Sequence, residues 1–214
     1  LSGTISGDGQ NTGNGDITNN KDLEIGDLSA DGHLNISVNG SVTAGDNTNG
    51  EANVSADQAS ITANGDIGTQ DKPLVTAVDD LSMSGKDIDI HSVTDVTIDN
   101  ISGKDVDITS DGRVETGSGK TNVTADDLSI DSFGGIGSED DPLIVNISGN
   151  VESTTQYEGA YITNVYKKPE PKKVSGTLMT KMTAKGKKSL VVSWSKISGA
   201  DGYDIFFAVC GGKK

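Results

Sequence analysis

Large side chains are scarce in this chain. Of its 214 residues 4% are aromatic, and none of these precedes Phe133. With 32% hydrophobic residues and 28 glycines, little bulk is left for a conventional core around a deep pocket, which argues against a compact enzyme domain. The single cysteine, Cys210, excludes an internal disulfide framework and a cysteine-based zinc site. No apolar run approaches the ~18–20 residues of a membrane span, so no membrane insertion is expected. No charged start followed by an apolar stretch marks a signal peptide, and Leu1 as first residue suggests a mature product or a fragment. Basic residues are also few. There are 17 Lys and Arg against 32 Asp and Glu, giving a net charge of −15 that repels nucleic acid over most of the surface.

Low hydrophobicity with high charge is the composition of disorder. The placement of the apolar residues points the other way. Residues 53–76, NVSADQASITANGDIGTQDKPLVT, align without gaps on 122–145, NVTADDLSIDSFGGIGSEDDPLIV, with 12 of 24 positions identical at an offset of 69. Apolar positions recur about every 23 residues. One column runs Ile36, Ile61, Met83, Ile108, Ile130, and a second Val42, Ile67, Ile90, Val114, Ile136. A third runs Ile25, Val54, Thr76, Ile98, Val123, Val145. Around them the residues alternate, as in Asp87-Ile88-Asp89-Ile90, which is the period of a strand with one buried face. Strands this short cannot bury a core alone. Coiled so that like residues stack every ~4.8 Å, they form parallel ladders around an aliphatic column, the architecture of a parallel β-helix. Three segments and about 23 residues per rung predict the three-faced form, right-handed by analogy. The longest corner, Val42 to Val54, carries Gly45-Asp46-Asn47-Thr48-Asn49-Gly50-Glu51; loops on a rigid scaffold are where binding usually sits, but here the loops are only a few residues long.

Asp66-Ile67-Gly68-Thr69 with Lys72-Pro73-Leu74-Val75, and its copy Gly135-Ile136-Gly137-Ser138 with Asp141-Pro142-Leu143-Ile144, resemble the repeats of filamentous-haemagglutinin-type bacterial surface proteins. The resemblance covers roughly residues 15–150. It implies a secreted, cell-surface β-helix acting as an adhesin or as the stalk of one, and it carries no catalytic residues.

Charge divides the chain. Residues 1–165 hold 6 Lys/Arg and 29 Asp/Glu, a net of −23, whereas 166–214 hold 11 and 3, a net of +8. Between them lies Lys167-Lys168-Pro169-Glu170-Pro171-Lys172-Lys173, a composition that favours an extended linker. The expected organisation is a β-helix with a C-terminal cap over 1–166, a linker over 167–175 and a small module over 176–214. In that module Ser189-Leu190-Val191-Val192-Ser193-Trp194 alternates, and a turn at Ser198-Gly199-Ala200-Asp201-Gly202 leads to Tyr203-Asp204-Ile205-Phe206-Phe207. A Trp on one strand and GADGY opening the next resemble the first half of a fibronectin type III domain, so a partial β-sandwich is expected. Its unpaired strands would be open to edge pairing with another chain.

Acidic corners invite a calcium reading: Asp8, Asn11, Asn14 and Asp16, then Asp79, Asp80, Asp126, Asp127, Glu139, Asp140 and Asp141. Calcium needs six to eight converging oxygens, and neither the EF-hand spacing nor the glycine-rich nonapeptide is present, so no metal or cofactor is expected. Lyases that cleave acidic polysaccharides need cations at the substrate, and the acidic part of the chain before the linker holds one arginine, Arg113. Hydrolases need carboxylates facing across a cleft. Asp105 and Asp107 lie on outward positions where alternation already requires polar residues. His33 and His91 have no metal-ligand spacing, and Cys210 has no paired histidine. The lysines at 187 and 188 read as a solvated basic surface. Asn35, Asn53, Asn122 and Asn146 fit the glycosylation pattern, but each precedes a core-column residue, so repeat chemistry accounts for them. The expectation is therefore a non-catalytic surface protein that binds a glycan or a host surface protein. A β-helix polysaccharide lyase or glycoside hydrolase is the alternative, and a structural spacer the third reading.

Tyrosines 157, 161 and 166 follow the last regular spacing. Residues 152–166 are accordingly expected to fold over the final rung, with a tyrosine closing the column.

Overall fold

The computed structural model describes residues 2–5, 13–46, 52–169, 180–184, 190–198 and 203. The chain separates into two compact units, Leu1–Lys167 and Lys168–Lys214.

The first unit is an all-β parallel solenoid of about seven coils. Every strand pairing described within it is parallel, and hydrogen bonding runs from each coil to the next rather than back along the chain. One inward row can be followed end to end through the strand registers: Ile17, Ile36, Ile61, Met83, Ile101, Val123, Val145, Asn164. A second runs Leu23, Val42, Ile67, Ile88, Val106, Leu128, Val151. A third stacks Leu74, Ile90, Ile108 and Ile130. Most of these side chains are fully buried. Each buried Ile, Leu or Val contributes roughly 1.5–3 kcal/mol, so a core without aromatics is sustained by many stacked aliphatic residues.

These rows correct the columns read from spacing. Ile36, Ile61 and Met83 do stack, as do Ile108 and Ile130, but Met83 is followed by Ile101 and not by Ile108. Val42 and Ile67 pair, but Ile67 leads to Ile88, while Val114 pairs with Val96 and Ile136. Val54 and Thr76 pair, as do Val123 and Val145, but Thr76 leads to Ser92. Ile25 pairs with Ala44 and Val54 with Leu28, and the remaining errors fall between Thr76 and Val123, at the join between the two repeat copies. There the coil from Met83 to Ile101 is shorter than the coils on either side, Ile61 to Met83 and Ile101 to Val123. The second copy consequently sits one strand segment further round the coil than the first. Ile61 shares a row with Val123, whereas its repeat equivalent Ile130 shares one with Leu74.

The repeated corner keeps its local geometry in both settings. Gly68 has φ +70° and Gly137 φ +57°, a region glycine enters without cost. The next coil also passes close to both. A Cβ on Gly68 would stand 2.1 Å from the Asp89 carbonyl oxygen, and one on Gly137 2.7 Å from that of Tyr161. After each glycine a short turn closes, with the Thr69 amide donating to the Lys72 carbonyl at 3.1 Å and the Ser138 amide to that of Asp141 at 2.9 Å.

Not all of the interior is apolar. Thr76, Ser92, Ser110 and Ser132 follow one another in register and are all buried. The serine hydroxyls tie down the corner that ends each strand. Those of Ser92 and Ser110 donate to the Thr94 carbonyl, and that of Ser132 to Gly112 at 2.8 Å.

At the C-terminal end, Val151–Thr155 pairs with Leu128–Ser132, and Ile162–Asn164 with Leu143–Val145. Residues 151–164 therefore form one further coil instead of folding across the column. Tyr157, Tyr161 and Tyr166 are 69%, 42% and 37% exposed, so none closes it. The physical reason is that residues 151–155 satisfy their backbone by extending the ladder, which a crossing segment would leave unpaired.

In the second unit Thr180–Ala184 pairs antiparallel with Leu190–Trp194, and the rings of Trp194 and Tyr203 lie 5.6 Å apart. The turn at 199–202 and residues 204–207 lie outside the described residues.

Candidate functional site

Alternation determines what the solenoid presents to solvent. Along Asp87–Ser92, Asp105–Ser110, Asp127–Ser132 and Val151–Thr155 the inward positions are aliphatic or hydroxyl, and the outward positions stack in three rows. Asp87, Asp105 and Asp127 form the first, Asp89, Asp107, Ser129 and Glu152 the second, and His91, Thr109, Asp131 and Thr154 the third. Parallel neighbours stand ~4.8 Å apart, so the carboxylates of the first two rows repel one another. Cations offset part of this. Lys104 lies 2.7 Å from Asp105, and Lys86 lies 3.7 Å from Asp66 and 3.8 Å from Asp87. Asp89 has no such partner among the described residues. Partial burial, together with Asp107, Asp87 and Asp66, raises its pKa above the ordinary carboxylate value, while Asp105 raises that of Lys104.

A raised carboxylic acid beside a second carboxylate is one requirement of a glycoside hydrolase. Asp89 and Asp107 are in-register neighbours on one outward strand face.

Five of the residues weighed for calcium are engaged in hydrogen bonds between coils, and Asp79 is exposed. Asn14 accepts from the His33 amide at 2.8 Å, Asp16 from Asn35 at 2.9 Å, and Asp80 from Gln58 at 3.1 Å. Asp126 accepts from the Ser148 hydroxyl, and Asp127 from the Asn150 amide. Glu139, Asp140 and Asp141 are exposed on the corner after Gly137. Among the described residues, no group of three or more His, Cys, Asp or Glu is placed to hold a metal ion. Asp8, Asn11, Lys187, Lys188 and Cys210 lie outside the described residues. His33 bonds to Asn35 and Gln58, and His91 to Asp111 at 3.0 Å. Arg113 is held by Glu158 and Glu115. Asn53 and Asn122 are buried and bond to backbone, so their place in the repeat, not a surface modification, accounts for them.

A second outward surface is almost uncharged. Thr18, Ser37, Thr62, Ser84, Ser102, Thr124 and Asn146 follow in register, a row of short polar side chains along the coil.

Where the third acidic row ends, Phe133 and Tyr157 stand in edge-to-face contact with ring centroids 4.8 Å apart. Sequence reading assigned Tyr157 to a cap and Phe133 to nothing. The available signal was that Phe133 directly follows Ser132, the last inward hydroxyl of its strand, so that it turns outward at the corner.

Fold and surface together define a parallel β-solenoid repeat protein. Among known proteins, no family model matches the chain, and neither a curated protein nor a solved structure does. Among the described residues, no helix is long and apolar enough to cross a membrane.

Proposed function

We propose that this chain is a non-catalytic bacterial surface protein, an adhesin or adhesin stalk that binds glycan or protein on a host or environmental surface. The observation that supports this most is the pairing of a continuous aliphatic interior with continuous outward rows of polar residues. A stack of this kind resists bending and presents the same chemistry at each coil, as an extended contact surface requires. The coil is read as right-handed with three strand-bearing faces, as in the haemagglutinin-type repeats that residues 66–75 and 135–144 resemble. The second unit is read as fibronectin type III-like, from its antiparallel hairpin and the contact between Trp194 and Tyr203. Secretion to the cell surface belongs to the same reading.

The test is display of the whole chain on arrays of glycans and of extracellular matrix proteins. Saturable binding to a defined subset supports an adhesin. Binding to neither array, with the fold intact by circular dichroism, overturns it in favour of a spacer.

A further inference from the structure

The corner of Phe133 and Tyr157 has a chemistry unlike the rest of the solenoid. These are the first two aromatic residues of the chain, they touch, and they remain 50% and 69% exposed. Burying such rings is favourable, and leaving both in solvent at one spot is the signature of a surface used for contact. Backbone bonds hold the strand ends that carry them: the Phe133 amide donates to the Ser110 carbonyl at 2.8 Å, and the Gln156 amide to that of Ser132 at 3.2 Å. The interplanar angle of 65° turns the two rings into a shelf with a wall.

Phe133 lines an open depression of about 590 Å³ together with Asp111, Asp131, Thr109 and Gln156, and Tyr157 borders it through its contact with Phe133. Ionised carboxylates accept hydrogen bonds and donate none. The ligand therefore needs a flat apolar face for the rings, donors at its edge and positive charge. Uronic and sialic acids are excluded by the same carboxylates and by the net −23 of residues 1–165. A pyranose carrying a free ammonium meets all three requirements: its axial C–H face lies on an aromatic ring, its hydroxyls donate, and its ammonium pairs with a carboxylate beside the face of an aromatic ring. We propose that this corner binds a cationic amino sugar, with Tyr157 and Phe133 stacking the ring and Asp131 taking the ammonium. The proposal rests on the adhesin reading and names the ligand class of that surface.

The experiment uses the full chain labelled with 3-fluorotyrosine, the Tyr157 resonance being assigned by Tyr157→Phe. The probes are the β-1,4-linked glucosamine tetramer, its fully N-acetylated counterpart and spermine. The glucosamine tetramer should shift the Tyr157 resonance saturably, with a Kd about tenfold or more below that of either other probe at that resonance. Asp131→Asn, at an exposed side chain, should weaken it about tenfold with unchanged melting temperature, and Phe133→Ala should remove the response with the fold intact by circular dichroism. A silent Tyr157 resonance overturns the site. So does equal binding of the acetylated tetramer, which removes the charge, or of spermine, which removes the sugar. If the resonance is silent while the chain still binds a subset of the arrays, the site falls and the adhesin reading stands. If the arrays too are unbound, that reading falls as well.

Discussion

Asn53 and Asn122, equivalent positions of the two repeat copies, make the same connection between coils. Each is buried, each donates its side-chain amide to carbonyls on the coil before, and each accepts from a backbone amide on the coil after. Asn53 donates to Ile25 at 3.0 Å and Gly26 at 2.9 Å and accepts from Val75 at 3.1 Å, while Asn122 donates to Ile98 at 2.8 Å and accepts from Ile144 at 3.0 Å. Asn164, on the last coil, makes both bonds to one residue of the coil before, donating to the Ile147 carbonyl and accepting from the Ile147 amide. Asn53 and Asn122 join neighbouring coils at a corner, supplying the acceptor for the Val75 and Ile144 amides and a second donor to the Ile25 and Ile98 carbonyls, which also accept from the Gly45 and Gly117 amides.

Asn122→Ala should therefore cost about 1–3 kcal/mol, because it leaves the Ile144 amide without its acceptor, while the Ile98 carbonyl keeps the Gly117 amide. Urea unfolding followed by circular dichroism measures this. Asn35→Ala, at an exposed outward site, should lie within about 0.5 kcal/mol of the parent.

The acidic face gives a pH signature. The folded pKa of Asp89 is raised, so between its unfolded value of 3.8 and its folded value the native state retains a proton that the unfolded chain has lost. That contribution to stability is present below the unfolded value and disappears as pH rises through the folded one. Asp89→Asn should accordingly raise the melting temperature at pH 7 and leave it unchanged near pH 3. A lower melting temperature at pH 7 would mean that the ionised carboxylate has a favourable partner.

The coil register can be read by cross-linking. In a Cys210→Ser background, Ser84→Cys with Ser102→Cys places two thiols on in-register neighbours of adjacent coils, ~4.8 Å apart at Cα and within disulfide range. That pair should oxidise readily, whereas Ser84→Cys with Thr109→Cys should not. The reverse result would restore the register in which Ile108 follows Met83.

The parallel coil was legible from sequence because alternation and a period near 23 leave few other ways to bury Ile and Val in segments this short. Several pairs were legible too, such as Ile36 with Ile61 and Val114 with Ile136. The join between the copies was not. Two alternating segments, Val96–Ser102 and Asp105–Ser110, both offer buried isoleucines, and a constant period selects the wrong one where a single coil is shortened. The interior hydroxyls were missed because Ser92, Ser110 and Ser132 are polar residues on inward positions, and only their shared parity with Ile90, Ile108 and Ile130 marks them. The acidic rows were visible as Asp-x-Asp patterns. That Asp89 is the one whose pKa rises depends on burial and on Asp66, which comes from a different coil.

The most direct test of a binding surface without chemistry is to follow retention and product release in the same sample. The full chain is run by affinity electrophoresis through gels containing soluble polysaccharides, among them partially deacetylated chitin, pectin and polygalacturonate. The same mixtures, with and without calcium, are then assayed for new reducing ends and for unsaturated products. Retarded migration in at least one amino-sugar gel with no product above the protein-free control is the expected result. Release of reducing ends or unsaturated products that is abolished by Asp89→Asn or Asp107→Asn would contradict it, and would make the acidic rows a catalytic site.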